Sequence, residues 1–211
     1  MISTRNLERM PEPQQLRRLL QSLAVLDAVM SPDWETRYYS YNAAWGDGSE
    51  MGSMRDGSGD QFFALFLPAG TGIIGLAHES AMFRCDDPWP GMFDGLPAEL
   101  AELRSEPAFD TDNCSFCIWR AAGSDRWSRG PVEMAPGDDP DGSARLLRPL
   151  DHDPATYVEF AREYYETEIP VASVRAIYEH QPLTMELVRS LNPDVTLAEL
   201  RSDLDEIGYR P

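Results

Sequence analysis

Apolar residues recur on one helical face close to the start of the chain. Ser31 and Pro32 follow this stretch, and a proline disfavours continuation of a helix because it lacks an N–H donor and crowds the preceding turn. The pattern therefore predicts one amphipathic helix over residues 13–30. Its apolar face is formed by Leu16, Leu19, Leu20, Leu23 and Leu26.

Between about residues 35 and 135 the apolar runs become short, and glycine and proline separate them, which is typical of strands and turns. Two of these runs, 62–67 and 73–77, flank the loop Pro68-Ala69-Gly70-Thr71-Gly72 and predict an antiparallel hairpin. Pro97 predicts the first turn of a short helix near 97–105. The predicted strands are 37–41, 62–67, 73–77, 116–121 and 126–128.

Helical spacing returns after residue 145. Asp153 before Pro154 predicts a capped helix start. Thr196 with Glu199 is a capping box, and Gly208 is expected to end the last helix. The apolar stripes of these helices are formed by Tyr157, Phe160, Ala161 and Tyr164; Val171, Val174, Ile177 and Tyr178; Leu187, Val188 and Leu191; and Leu197, Leu200, Leu204 and Ile207.

These patterns predict an α+β fold: a mainly antiparallel sheet with an N-terminal helix and a helical C-terminal part packed on it. We expect a single domain over residues 1–211. Residues 136–143 have loop composition and indicate a possible sub-boundary near 136–144. It would separate a helix-and-sheet part, 1–135, from a helical part, 145–211.

The stretch Gly70-Thr71-Gly72-Ile73-Ile74-Gly75 spells G-x-G-x-x-G directly after an apolar run. A dinucleotide-binding turn would need a helix to begin at these glycines. The β-branched pair Ile73-Ile74 favours a strand instead, and Pro68 stands where the first strand would enter the turn. The pattern therefore favours a glycine-rich hairpin, and no cofactor is expected.

The charge of the chain is strongly negative. It has 36 acidic residues against 18 basic ones, all arginine, for a formal net charge of −18. Such a charge repels phosphate groups, so nucleic-acid and membrane binding are not expected, whereas a basic protein partner is favoured. Solubility alone also explains an acidic composition. Because the first residues lack the apolar core of a secretory signal, we expect a cytoplasmic protein; the oligomeric state is left open.

Three cysteines could form a metal site. Cys114-x-x-Cys117 with Cys85 and His78 would supply three thiolates and one imidazole, a ligand set that zinc accepts. However, Cys117 lies in a predicted strand, where cysteine packs as a small apolar residue. A single C-x-x-C without a second pair is also a weak indication. Buried, reduced thiols are therefore favoured over a zinc or redox site.

His78 and Glu79 are the candidates for acid–base chemistry. They follow a predicted strand at a loop, where catalytic residues concentrate, and the chain has only three histidines. The sequence has no nucleophile elbow, phosphate-binding loop or H-E-x-x-H helix, and without lysine it cannot form a lysine Schiff base. An enzyme is therefore not favoured. A small hydrolase or metal-dependent enzyme centred on His78 is the alternative.

Aromatic residues beside acidic ones indicate a surface for a protein partner. Trp89 lies in a loop with Asp86 and Asp87, and Tyr41 and Trp45 belong to an earlier aromatic group. Exposed aromatic side chains provide binding anchors in protein interfaces. The same residue types also form the core and rim of a sheet, so both interpretations remain open.

Several short motifs resemble a family of uncharacterised bacterial cytosolic proteins. They are Trp89-Pro90-Gly91, Asp94-Gly95-Leu96-Pro97, Glu106-Pro107-Ala108-Phe109 and Phe116-Cys117-Ile118-Trp119-Arg120. This resemblance implies no activity. The chain is also loosely similar to acidic α+β immunity proteins that neutralise bacterial toxins. We therefore predict a non-enzymatic, protein-binding or inhibitor-like protein; besides the enzyme, a helical adaptor is a second alternative.

Overall fold

A six-stranded antiparallel sheet forms the centre of the computed structural model, which describes residues 1–210. The strands are arranged in chain order, so each one pairs with its sequence neighbours. This confirms the predicted α+β fold with a mainly antiparallel sheet. The strands are β1 (Tyr39–Gly46), β2 (Ser49–Arg55), β3 (Gln61–Leu67), β4 (Gly70–Leu76), β5 (Phe116–Ala121) and β6 (Ser128–Arg129).

The helices lie at the start of the chain, within a connection of the sheet, and after the sheet. They are α1 (Pro13–Met30), α2 (Glu102–Ser105), α3 (Ser143–Leu146), α4 (Pro154–Tyr164), α5 (Val171–Tyr178), α6 (Met185–Leu191) and α7 (Arg201–Ile207). The bounds of α1 agree with the prediction, as does the predicted cap Asp153 at the start of α4. Within residues 1–210, no helix is both long and apolar enough to cross a bilayer.

The larger core lies between one face of the sheet and the helices α1 and α4–α7. Phe62 and Phe116 from the sheet belong to the same buried cluster as Leu23 of α1 and Ile177 of α5. Burial of such side chains is the main source of folding free energy. The predicted packing of the N-terminal and C-terminal helices on the sheet is confirmed.

The segment 136–144 is tied to distant parts of the chain. Thr4 donates its hydroxyl to the buried carboxylate of Asp141, and its backbone N–H donates to Ser143 Oγ at 3.0 Å. Ser115 donates to the carbonyl of Asp141 at 2.8 Å. The possible sub-boundary therefore coincides with a hydrogen-bonded junction between the first residues, the sheet and the C-terminal helices.

A second core covers the opposite face of the sheet. Ile74, Cys117 and Trp119 pack there with Leu103 of α2 and Phe109 of the following 3-10 turn. The residues that cover this face come mainly from the connection between β4 and β5. The sequence pattern predicts only a loop and one short helix in this connection, and it does not indicate that the two form a layer on the sheet.

Strand β2 was missing from the predicted set. Its residues 49–55 contain serine, glutamate and glycine, and this composition hides the strand pattern. The turn before it is Asp47-Gly48, with Gly48 at φ 77°. Asp-Gly is a preferred hairpin turn because glycine accepts positive φ at no steric cost.

The hairpin of β3 and β4 confirms the interpretation of the G-x-G-x-x-G stretch, with one correction. The turn is only Pro68-Ala69, since Leu67 pairs with Gly70, and the predicted loop residues Gly70–Gly72 already belong to β4. A Cβ atom on Gly72 would lie 2.3 Å from Leu103 Cδ2, and one on Gly75 would lie 2.2 Å from Phe116 Cζ. These glycines make room for side chains that pack on the two faces of the sheet.

Candidate functional site

The four residues of the disfavoured zinc site, His78, Cys85, Cys114 and Cys117, are not brought together. Cys114 and Cys117 are buried in the second core, whereas Cys85 is exposed and its thiol lies 3.4 Å from Asp86 Oδ2. Burial raises the pKa of Cys114 to about 12, and it also raises the pKa of Cys117. Throughout residues 1–210, no three His, Cys, Asp or Glu side chains are arranged as metal ligands.

His78 lies in the turn that follows β4, where it contacts a buried carboxylate. Its ring Nδ1 lies 2.8 Å from Asp60 Oδ1, and its backbone N–H donates to the same oxygen at 2.9 Å. Asp60 is 4% exposed, and its other oxygen forms an ion pair with Arg145 of α3. We call Asp60, His78 and Arg145 the His78 cluster. Glu79 is exposed in the same turn and lies outside this cluster.

The charge of Asp60 is stabilised despite its burial. Burial favours the neutral form of this carboxyl group, but the hydrogen bonds from His78 and Arg145 outweigh burial, and the pKa of Asp60 is lowered. Asp60 is therefore a carboxylate at neutral pH. It can only accept hydrogen bonds, which determines how the imidazole is oriented.

The predicted contact loop holds Trp89 against the protein. Trp89 is half-buried against the second core, and the guanidinium of Arg84 lies 5.8 Å from its ring centroid. Arg84 also pairs with Asp87, and the backbone N–H of Asp86 donates to Asn113 at 2.9 Å. Asp86 and Asp87 are exposed, but the side chain of Trp89 beside them packs against the second core.

Tyr41 and Trp45 lie on opposite sides of the sheet, so they do not form one surface. Tyr41 is buried in the larger core and donates its hydroxyl to Glu50 Oε2 at 2.6 Å. Trp45 is half-buried and stacks on Phe109 in the second core, with ring centroids 6.4 Å apart. Residues four apart share a face in a regular strand, but the register shifts between Asn42 and Gly46 and breaks that alternation.

The most exposed large aromatic side chain is Trp34, which was not among the predicted site residues. Trp34 is 53% exposed, in a 3-10 turn between α1 and β1, and Arg55 lies over its ring at 5.2 Å. Close by, Tyr164 of α4 is 41% exposed and donates to the carbonyl of Thr36 at 2.9 Å. Tyr38 packs on Tyr164 with ring centroids 4.4 Å apart. We call Trp34, Tyr38, Arg55 and Tyr164 the Trp34 surface.

A groove of about 300 Å³ opens at this surface. Arg55 has no ion-pair partner within residues 1–210, whereas Arg37 is held by Asp203 through two hydrogen bonds of 2.7 and 3.2 Å. The exposed carboxylates Asp33 and Glu35 flank Trp34. The groove is lined by Trp34, Glu35, Arg37, Tyr38, Ser40, Arg55 and Gly57.

The Trp34 surface rests on a buried carboxylate. Asp27 Oδ2 accepts the backbone N–H groups of Tyr38 and Tyr39, both at 2.8 Å, and so fixes the chain where it enters β1. One sequence feature could have indicated this site: a tryptophan directly after Pro32-Asp33, in the link between a helix and a strand. Loops of this kind carry many binding residues.

Comparisons of the chain with models of protein families, with curated proteins and with solved structures find no match in any of the three. The resemblance to a bacterial cytosolic family and the similarity to immunity proteins therefore stay predictions.

Proposed function

We propose that this chain is an acidic protein-binding protein of the inhibitor-like kind, with the Trp34 surface as its non-catalytic contact centre. The observation that carries this proposal is the exposure of Trp34 beside Tyr164 and Arg55. Tryptophan, tyrosine and arginine are the residue types most often found as energetic hot spots in protein interfaces. Exposed apolar side chains that lie together on a protein surface often mark an interaction site.

The electrostatics favour a basic partner. A net charge of −18 attracts a positively charged protein over long range and accelerates encounter. Asp33 and Glu35 would then form a polar rim around the indole of Trp34, while aromatic contact supplies the close interaction. In this arrangement the carboxylates mainly govern the association rate, and Trp34 governs the lifetime of the complex.

The proposal is tested by capture from a lysate of the organism that encodes the chain, followed by titration of the purified captured protein. We expect Trp34→Ala to weaken that affinity about 30-fold or more, as hot-spot truncations of about 2 kcal/mol do. We expect the wild-type complex to weaken between about 0.1 M and about 1 M salt, where the Debye length falls from about 10 to about 3 Å.

The matched control is Val171→Ala, because Val171 is 44% exposed and opens α5 among the C-terminal helices. If the Trp34 surface is the contact centre, this variant binds as tightly as wild type. An adaptor that acts through its C-terminal helices predicts the reverse, with Val171→Ala weakened and Trp34→Ala unchanged. A partner that binds both variants equally well would contradict the proposed contact centre.

A further inference from the structure

Three separate parts of the chain contribute to the His78 cluster. Asp60 ends the turn between β2 and β3, His78 follows β4, and Arg145 lies on α3. The turn brings Gly59 against the ring, where a Cβ atom would lie 3.1 Å from His78 Nδ1. The sequence positions of the three groups are far apart, so the fold as a whole determines the geometry of the His78 cluster.

The hydrogen bonds determine which nitrogen of His78 carries the proton. Asp60 Oδ1 is a carboxylate acceptor, so the Nδ1 atom at 2.8 Å donates to it. In the neutral ring, Nε2 then keeps its lone pair. Nε2 has no hydrogen-bond partner in residues 1–210, and the His78 side chain is 37% exposed. The ring is therefore fixed on one side and open to a small molecule on the other.

A purely structural role explains the contact between Asp60 and Arg145, but it does not require an imidazole with an open Nε2. A base oriented through Nδ1 by a buried carboxylate is a recurrent arrangement for proton transfer. Arg145 adds a positive charge on the same carboxylate and is more than half exposed, so its remaining N–H groups are available to a ligand. Guanidinium N–H groups can stabilise negative charge that develops on a ligand within their reach.

We propose that the His78 cluster is a general-base site that hydrolyses a small, uncharged carboxylic ester. In the first step a water oxygen bonds to the ester carbonyl carbon while His78 Nε2 takes a proton from that water. The resulting oxyanion is stabilised by N–H groups of Arg145. In the second step the carbon–oxygen bond to the alcohol breaks, and Nε2 returns the proton to the leaving oxygen, giving an acid and an alcohol.

The charge of the protein selects among ester classes. A net charge of −18 repels a phosphate ester over long range, whereas a neutral carboxylic ester meets no such barrier. His78 would be the catalytic residue, since it exchanges the proton with the substrate, and Asp60 would be a positioning residue. This activity is independent of the proposed protein contact at the Trp34 surface.

The test measures cleavage of 4-nitrophenyl acetate and of 4-nitrophenyl phosphate by the full chain. We expect cleavage of the acetate, no cleavage of the phosphate, and a loss of about 100-fold in kcat/KM for His78→Ala, which is the usual range of general-base contributions. Because this variant lacks only the ring, added imidazole should restore part of the rate. Circular dichroism and a thermal melt show that the variant is folded.

His152→Asn is the matched control, because His152 is exposed, has no carboxylate partner in the described chain, and sits at φ 64°, which asparagine tolerates. It should cleave the acetate as fast as wild type. Asp60→Asn should lower kcat, and ¹⁵N NMR of its His78 ring should show that the proton leaves Nδ1. Equal rates for wild type and His78→Ala, or an equal loss in His152→Asn, would overturn the proposal.

Discussion

The hydroxyl of Tyr157 on α4 donates a 2.6 Å hydrogen bond to Oδ1 of Asp27 on α1, a carboxyl group with no exposed surface. Its other oxygen accepts the N–H groups of Tyr38 and Tyr39, so one side chain joins two helices to β1. Burial raises the pKa of Asp27 to about 6, although these hydrogen bonds oppose the shift. The group that supports the Trp34 surface is therefore also sensitive to pH.

Asp27 should make the protein more stable as the pH falls from 7 towards 4. Its pKa is higher in the folded state than the ordinary value of 3.8, so the folded protein binds the proton first. Above pH 6 the buried carboxyl group is ionised, and this destabilises the folded state by about 3 kcal/mol at most. The destabilisation disappears as the pH falls from 6 towards 4. Urea unfolding at pH 7, 6, 5 and 4 measures the change.

Asp27→Asn isolates this contribution, because asparagine keeps the shape and does not titrate. The difference in unfolding free energy between wild type and Asp27→Asn should change in favour of wild type as the pH falls. Other carboxylates, such as Asp60 with its lowered pKa, act in the opposite direction but equally in both proteins. Parallel curves for the two proteins would mean that Asp27 does not titrate in this window.

Gly75→Ala should destabilise the protein by about 1–3 kcal/mol, the usual cost of excess volume in a packed core. The Cβ atom of the alanine would lie 2.2 Å from Phe116 Cζ, and the rigid aromatic ring cannot bend away from it. In a Phe116→Leu background the same substitution should cost less, because the obstructing atoms are gone. Urea unfolding of the four proteins measures this coupling; equal costs in both backgrounds would contradict the packing explanation.

The helices could be predicted from the sequence because their signals are local. Leucine spacing, caps such as Asp153, and Gly208 with φ 67° all act within a turn or two of the residues concerned. Strand β2 could not be predicted, because the residue types in it are set by contacts with other elements. Gly52, for example, stands where a Cβ atom would crowd Leu20 of α1 and Tyr41 of β1. Glycine is rare in strands, so the sequence of β2 does not show a strand pattern.

The candidate sites depended on register, which the sequence predicted only in part. With the turn at Pro68-Ala69, Gln61 pairs with Leu76, and this places Asp60 beside His78. The predicted loop, which extends to Gly72, would shift the pairing of Gln61 with Leu76 and move Asp60 away from His78. Likewise, the register shift before Gly46 took Trp45 away from Tyr41. Single residues could be proposed from the sequence, but their partners required the folded chain.

One of the three cysteines should react with a thiol reagent in the native protein. Cys85 is exposed, whereas burial excludes reagent from Cys114 and Cys117 and raises the pKa of both. Only the thiolate reacts, so the buried pair should respond only after unfolding in guanidinium. The hydrogen bond to Asp86 and the charge of its carboxylate also raise the pKa of Cys85, so Asp86→Asn should speed its reaction.

The measurement is the number of thiols that react with Ellman's reagent before and after denaturation, with Cys85→Ser as the control that should show none in the native state. Two or three fast native thiols would contradict the buried positions of Cys114 and Cys117. A native protein whose thiols all stay unreactive until a chelator is added would instead support the zinc site that the sequence pattern suggested.

Trp34→Ala should lower the unfolding free energy by about 1.5 kcal/mol at most. Exposed substitutions usually change stability by about 0.5 kcal/mol, and the cation–π contact with Arg55 adds about 0.5–1 kcal/mol at an exposed site. Trp119→Ala is the contrasting variant. The indole of Trp119 on β5 is buried in the second core, and its loss should cost about 3–5 kcal/mol.

Both values come from urea unfolding at pH 7. A loss of about 3 kcal/mol or more for Trp34→Ala would mean that the indole supports the fold, and weaker partner binding by that variant would then not indicate a direct contact. A small loss of stability together with a large loss of affinity would support direct contact between the indole and the partner.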